Sequence, residues 1–140
     1  MLLRHPPTVV IVAVDGDELV LVRQSRPATE EATLELPSGK VEAGESPEQA
    51  AARELAEECG LAAEAWRALG SFWAAPAYST ELVHVFEASG LREGDPAELD
   101  EDEDVEVERR PLVAGLPRLS DAGSIAALAL WLEGRATRPN

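Results

Sequence analysis

One helix in this chain is delimited at both ends by its own residues. Ser46 is a good capping residue, Pro47 suits the first helical position, and Gln49 stands three residues after the cap. Gly60 suits the left-handed residue that closes a helix. The spacing predicts a helix from about Pro47 to Cys59. At about 100° per residue, Glu54, Glu57 and Glu58 then fall within about a 100° arc. Leu55, Cys59 and Ala52 fall on a different side and can face the core, with Ala51 near the boundary. Three carboxylates so close repel one another, and they stand near the helix C-terminus, where the macrodipole disfavours negative charge. A solvated acidic face is one reading. The other is a cation between them: the preceding Leu36-Pro37-Ser38-Gly39-Lys40 supplies backbone carbonyls, and carboxylates with carbonyls are the oxygen donors that Mg²⁺ or Mn²⁺ prefers.

Around this helix the pattern is mostly extended. Val9–Val14 and Glu18–Arg23 are aliphatic runs separated by Asp15-Gly16-Asp17, a hairpin signal. Thr33–Leu36 is a short strand candidate, ended by Pro37-Ser38-Gly39. Trp66–Ala74 and Glu81–Ala88 read as strands around a turn at Ala75–Tyr78. Val105–Glu108 alternates, and Ser120–Glu133 reads as a second helix. Strands and helices do not alternate regularly, which favours a mixed sheet flanked by helices over a doubly wound parallel sheet. At 140 residues, one domain over 1–140 is expected.

Charge and cysteine content narrow the function classes. Twelve Lys and Arg against 27 Asp and Glu give a net charge of −15. Such a chain has no general attraction to nucleic acid or anionic membrane, and a phosphorylated small molecule would need bridging cations. No apolar run reaches the roughly 18 residues of a membrane span. The single Cys59 excludes an internal disulfide and a cysteine zinc cluster. With no export signal read at the N-terminus, a cytoplasmic location is expected. His5 and His84 are read as solvent-facing or strand-packed.

The stretch GKVEAGESPEQAAARELAEECGL resembles the Nudix box, G-x5-E-x7-R-E-U-x-E-E-x-G-U with U aliphatic, at Gly39, Glu45, Arg53, Glu54, Leu55, Glu57, Glu58, Gly60 and Leu61. Nine specified positions agree over 23 residues, which makes chance agreement very improbable. The resemblance implies an α/β/α sandwich with a mixed sheet (α+β in class), and metal-dependent hydrolysis of a nucleoside diphosphate linked to another moiety. Carried over by position, it implies Glu54 and Glu58 as direct metal ligands, Glu57 as a ligand or proton-handling group, and the Ser38 carbonyl as a backbone donor. Arg53 would brace the carboxylates and Glu45 would fix the loop. Cys59 is a free position of the box, read as a small core residue.

The flanks are similar to one subgroup, the ADP-ribose pyrophosphatases. Val22-Arg23-Gln24-Ser25-Arg26 and Glu35-Leu36-Pro37-Ser38-Gly39 resemble its R-Q-x-R and E-x-P-x-G patterns, and Pro76 falls 16 residues after Gly60. Arg23 or Arg26 could hold a phosphate, bidentate if geometry allows, and Glu35 could accept ribose or adenine hydrogen bonds. Tyr78 or Trp73 could stack on adenine, with core packing as the competing role. The acidic run Asp100–Asp104 is not a calcium loop, because Val105 and Pro111 stand where glycine and glutamate are required. It resembles the subgroup's acidic loop, with Glu101 as general base and Glu103 as an auxiliary metal ligand; Glu57 is the rival base. The expected substrate is ADP-ribose, with another nucleotide sugar or a dinucleotide polyphosphate as alternatives. A non-catalytic nucleotide-binding module is disfavoured by the intact box. Many of the subgroup exchange an N-terminal strand region between subunits. Here the first core strand follows Arg4-His5-Pro6-Pro7 directly, so no swapped dimer is carried over, and a homodimer through other surfaces stays open.

Overall fold

A computed structural model describes residues 1–100 and 105–136. In chain order the elements are β1 (Thr8–Asp15), β2 (Glu18–Arg26), β3 (Glu31–Glu35), β4 (Ser38–Lys40), α1 (Pro47–Cys59), β5 (Leu61–Trp73), β6 (Leu82–Glu93), β7 (Val105–Pro111) and α2 (Ala122–Ala136). They form a seven-stranded sheet with the path β3-β2-β1-β6-β5, in which β4 also pairs with β1 and β7 with β2. The sheet is mixed: β1 runs parallel to β6, and the other pairings are antiparallel.

The alternation of β1 divides the core in two. Val9, Ile11 and Ala13 pack with Ala50, Ala51 and Leu55 of α1, while Val10 and Val12 pack with Ala127, Leu128 and Trp131 of α2. Successive strand residues point to opposite faces, so one fully buried strand feeds both layers. The result is the expected α/β/α sandwich. The hairpin at Asp15-Gly16-Asp17 forms, with Gly16 at φ +62°.

Helix α1 begins and ends where its residues predict. Ser46 accepts from the Gln49 N–H at 3.1 Å while the Gln49 side chain accepts from the Ser46 N–H at 2.9 Å. Gly60 closes the helix at φ +67°, a conformation that costs glycine little. The inward face differs from the expected one. Ala50, Ala51, Leu55 and Ala56 are buried and Ala52 is exposed. The helix is therefore rolled toward β4, so Glu54 shares the inward side instead of lying on a separate acidic face.

One short strand was not expected, and several run past their predicted bounds, β5 and β6 the furthest. The Pro37–Lys40 loop contains the short strand β4, paired with β1 through Thr8↔Lys40 and Val10↔Ser38. Strand β5 starts at Leu61, directly after the helix cap, and carries a register shift between Ala68 and Gly70. Strand β6 continues to Glu93, five residues past the predicted Ala88.

Candidate active site

The segment Leu36–Lys40 is fixed by bonds to three other elements. The Ile11 N–H donates to the Pro37 carbonyl at 2.9 Å, and the Leu36 N–H donates to the buried Ser124 hydroxyl of α2 at 2.9 Å. The Ser38 N–H donates to Glu58 Oε1 at 2.9 Å, which ties β4 to the last turn of α1. Gly39 has a specific reason to lack a side chain: a Cβ built on it would overlap the Glu54 carboxyl group. The glycine is thus the seat of Glu54.

Arg53 organises the acidic residues around this seat. Its guanidinium donates to Glu45 at 2.8 and 2.9 Å, to Glu54 at 2.8 Å, to Glu57 at 3.2 Å, and to the Lys40 carbonyl at 2.8 Å. One cation therefore pins both the loop before the helix and two carboxylates on it. The hydrogen bonds from Arg53, with the Glu42 N–H, hold the Glu45 carboxyl down at about 2.

Glu54 and Glu58 stand in a different electrostatic state. Burial raises the Glu54 carboxyl above its ordinary value against the pull of Arg53, and Glu57 and Glu45 push it further up. Burial pushes Glu58 up to about 7; the Ser38 N–H opposes this, and Glu54 and Glu35 add to it. Two partly buried carboxyls with carboxylate neighbours carry an uncompensated cost that a divalent cation would remove. The donors are oxygen only, the set that suits a hard cation. Among the described residues no three acidic, histidine or cysteine side chains converge as a ready-made cage. Mg²⁺ is held through one or two carboxylates while keeping several waters, so the Glu54–Glu58 pair beside Ser38 fits it.

These glutamates border a cleft of about 410 Å³ lined by Gln24, Ser38, Glu54, Glu57, Glu58, Leu99, Asp100, Val105 and Val107. The Asp100 N–H donates to the Glu57 carbonyl at 2.8 Å, fastening the start of the acidic loop to α1. Glu101 and Glu103 lie outside the described residues.

The two arginines of β2 part company. Arg26 grips Glu35 with Nε and Nη2, both at 2.8 Å, and Glu35 is only 5% exposed. The Thr33 hydroxyl also donates to Glu35, so both Glu35 oxygens are engaged within the protein. Arg23, three residues earlier, alternates to the opposite face and donates to Glu108 at 2.7 Å. Gln24, between them in the Arg23–Arg26 stretch, faces the cleft. Pro76 and Tyr78 lie in the β5–β6 turn, where the Leu3 N–H donates to the Tyr78 carbonyl at 2.6 Å; neither residue lines the glutamate cleft. Tyr78 is 52% exposed and Trp73 57%, so neither ring is spent on the core. Cys59 packs against the α1 core, where burial pushes its thiol up to about 12.

Gln24, Leu99, Asp100, Val105 and Val107 are cleft residues that sequence reasoning passed over. Strand alternation held a signal for Gln24, because it places Gln24 and Arg26 on one face and Arg23 on the other.

A mixed sheet between two helices, with a glutamate seated on a glycine and braced by the arginine before it, defines a Nudix fold and its box. The chain belongs to the NUDIX domain family, whose model matches residues 4–127. It is 43% identical over 110 residues to an ADP-ribose pyrophosphatase of Bacillus subtilis, covering 76% of this chain and 58% of that protein. It is 36% identical over 129 residues to an ADP-ribose pyrophosphatase of Mycobacterium tuberculosis, covering 90% and 62%. The chain thus spans about six-tenths of the length of these curated relatives. A solved structure described as an ADP compounds hydrolase superposes with a TM-score of 0.80 at 31% identity, covering 94% of this chain and 75% of that one.

Proposed function

We propose that this chain is a Mg²⁺-dependent hydrolase of ADP-ribose, cutting its diphosphate to release AMP and ribose 5-phosphate. The observation that carries the reading is the placement of Glu54, seated on Gly39 and held by Arg53, beside Glu58, tied to Ser38, at the edge of an open cleft. A net charge of −15 would otherwise repel a diphosphate. A bound Mg²⁺, or Mn²⁺, would supply charge neutralisation of the diphosphate and acidification of a water.

Glu54 and Glu58 would hold the cation together with the Ser38 carbonyl, and Glu57 and Glu103 would complete the donor set. Arg53 keeps Glu54 and Glu57 in place from behind, and the Ser38 N–H does so for Glu58. Arg26, pre-oriented by the buried Glu35, offers the remaining face of its guanidinium to a phosphate oxygen. Glu101 takes the proton of the attacking water, with Glu57 as the rival base. Asp100 at the cleft immediately precedes Glu101 in the chain. Similarity to the ADP-ribose pyrophosphatases of Bacillus subtilis and Mycobacterium tuberculosis favours ADP-ribose as the substrate. Similarity to the solved ADP compounds hydrolase favours a wider set of ADP compounds as the second reading.

A hydrolysis screen over nucleoside diphosphate derivatives with Mg²⁺ tests this. ADP-ribose is expected at the top of the ranking. A ranking with ADP-ribose far below dinucleotide polyphosphates or nucleoside triphosphates would overturn the substrate assignment and leave the hydrolase reading standing.

A further inference from the structure

Helix α2 presents apolar residues to solvent as well as to the core. Ser124, Ala127, Leu128 and Trp131 form its buried side. On the outer side Ala122, Ile125, Ala129, Leu132 and Ala136 are all exposed, Ile125 by 52% and Leu132 by 41%. At about 100° per residue these five fall within an arc of about 80°. They follow one another at intervals of three, four, three and four residues, the spacing of a seam along which one helix packs on another.

The segment before the helix deepens this face into a groove. Leu116, Pro117 and Leu119 stand beside Ile125 and Leu132 around a space of about 320 Å³. Leu119 and Leu128, which also line it, belong to the core under α2, so the groove is continuous with the packed interior. A contiguous apolar face of this kind marks a protein contact.

Charge and shape say which protein. The net charge of −15 makes two copies of this chain repel each other over most of their surface. Among the described residues no carboxylate lines this groove, and Arg118 is its one charged side chain. The seam is also complementary to itself. Read from either end it runs small, large, small, large, small, with Ala129 at the centre. A two-fold axis at Ala129 lays two such helices antiparallel and sets Ile125 of each copy against Leu132 of the other. The alanines at the axis allow close approach of the two backbones. The same rotation brings the Arg118 end of each groove to the last turn of the other helix, which carries the exposed Glu133. Opposite charges then meet at both rims, whereas a parallel pair would set like against like.

We propose that the outer face of α2 is the contact between two copies of this chain, paired antiparallel about Ala129. The inference goes beyond the hydrolase reading and does not rest on it.

Sedimentation equilibrium of the full chain over a range of concentrations tests it. The wild type is expected at twice the mass of one chain. Ile125→Lys and Leu132→Glu each place a charge at a position already exposed, so each should fold, as a thermal melt checks, and each should lose the dimer. An equimolar mixture of the two variants should regain the two-chain mass. In an antiparallel pair the new cation of one copy faces the new carboxylate of the other, and the unchanged Ile125 and Leu132 meet at the second contact. In a parallel pair neither charge finds its opposite, so a mixture that stays monomeric would overturn the antiparallel pairing. Ala129→Cys is a milder probe should either charged variant misfold: an oxidant is expected to link two copies through it, and failure to link them would overturn the proposal. Dimers that survive both charged substitutions would place the interface on another face and overturn it too. Wild-type protein that is monomeric at every concentration would overturn it and leave the seam to a different partner.

Discussion

Glu58→Gln is expected to stabilise the metal-free protein above neutral pH even as it abolishes turnover. Burial, with Glu54 and Glu35 nearby, lifts the Glu58 carboxyl from the ordinary 4.5 to about 7. Below pH 4.5 the carboxyl is protonated in both folded and unfolded chains and contributes no difference. Between 4.5 and 7 the folded chain holds a proton that the unfolded chain has released, so stability falls as pH rises. The loss is complete by about pH 8. A gap of about 2.5 pH units at about 1.4 kcal/mol each corresponds to about 3 kcal/mol. For a chain of this length that is on the order of 10 °C in Tm. Glutamine keeps an oxygen for the Ser38 N–H and carries no charge, so the variant should lose this part of the slope. Thermal melts in chelator from about pH 5 to about pH 8.5 read it directly as the difference between the two proteins. Saturating Mg²⁺ should then raise the wild type and leave the variant nearly unmoved. Parallel pH profiles for wild type and variant in chelator would refute the reasoning.

Other perturbations separate the neighbouring roles. Gly39→Ala pushes a methyl group into the Glu54 carboxyl group, the mobile end of a long side chain, and should displace it, with little change in denaturant melts and loss of most of the activity; a variant with wild-type turnover would show that Glu54 need not sit there. Arg26→Lys keeps the charge beside Glu35 but loses the fork, and should raise KM about 10-fold, whereas Arg23→Ala should leave steady-state kinetics unchanged. Equal effects of the two would undo the separation of faces. Glu101→Gln should lower kcat more than it lowers Mg²⁺ affinity, and Glu57→Gln the reverse; the opposite pattern would make Glu57 the base.

What could be read from residues alone follows the strength of local signals. Helix α1 was legible to the residue because Ser46, Pro47, Gln49 and Gly60 each act within one turn. The β1–β2 hairpin was legible for the same reason, and the apolar run Val9–Val14 marked β1 as a strand, though not as one buried on both sides. Strand β4 was not, because Ser-Gly-Lys has little intrinsic β preference and is extended only through its pairing with β1. The Ala- and Gly-containing β5 was underestimated likewise: its partner β6 holds it straight across Ala62, Ala63 and Ala65. The box glutamates were found by spacing, yet their inward tilt was not, since the roll of α1 is set by tertiary contact and not by the helix itself. Glu35 illustrates the limit. Its pattern fitted a ligand-facing acid, while its burial and its engagement by Arg26 and Thr33 come from residues brought together across β2 and β3.

Everything proposed for this site depends on the glutamates of α1 holding a divalent cation that makes ADP-ribose cleavable. The decisive measurement is product analysis of ADP-ribose hydrolysis during a Mg²⁺ titration, run in parallel on wild type and Glu58→Gln. The wild type should yield AMP and ribose 5-phosphate in equal amounts, at a rate that saturates in Mg²⁺ and vanishes in chelator. A folded Glu58→Gln variant should be slower by orders of magnitude. Turnover that persists in chelator, or a Glu58→Gln enzyme with the wild-type rate and Mg²⁺ dependence, would show that the α1 glutamates do not work through a metal.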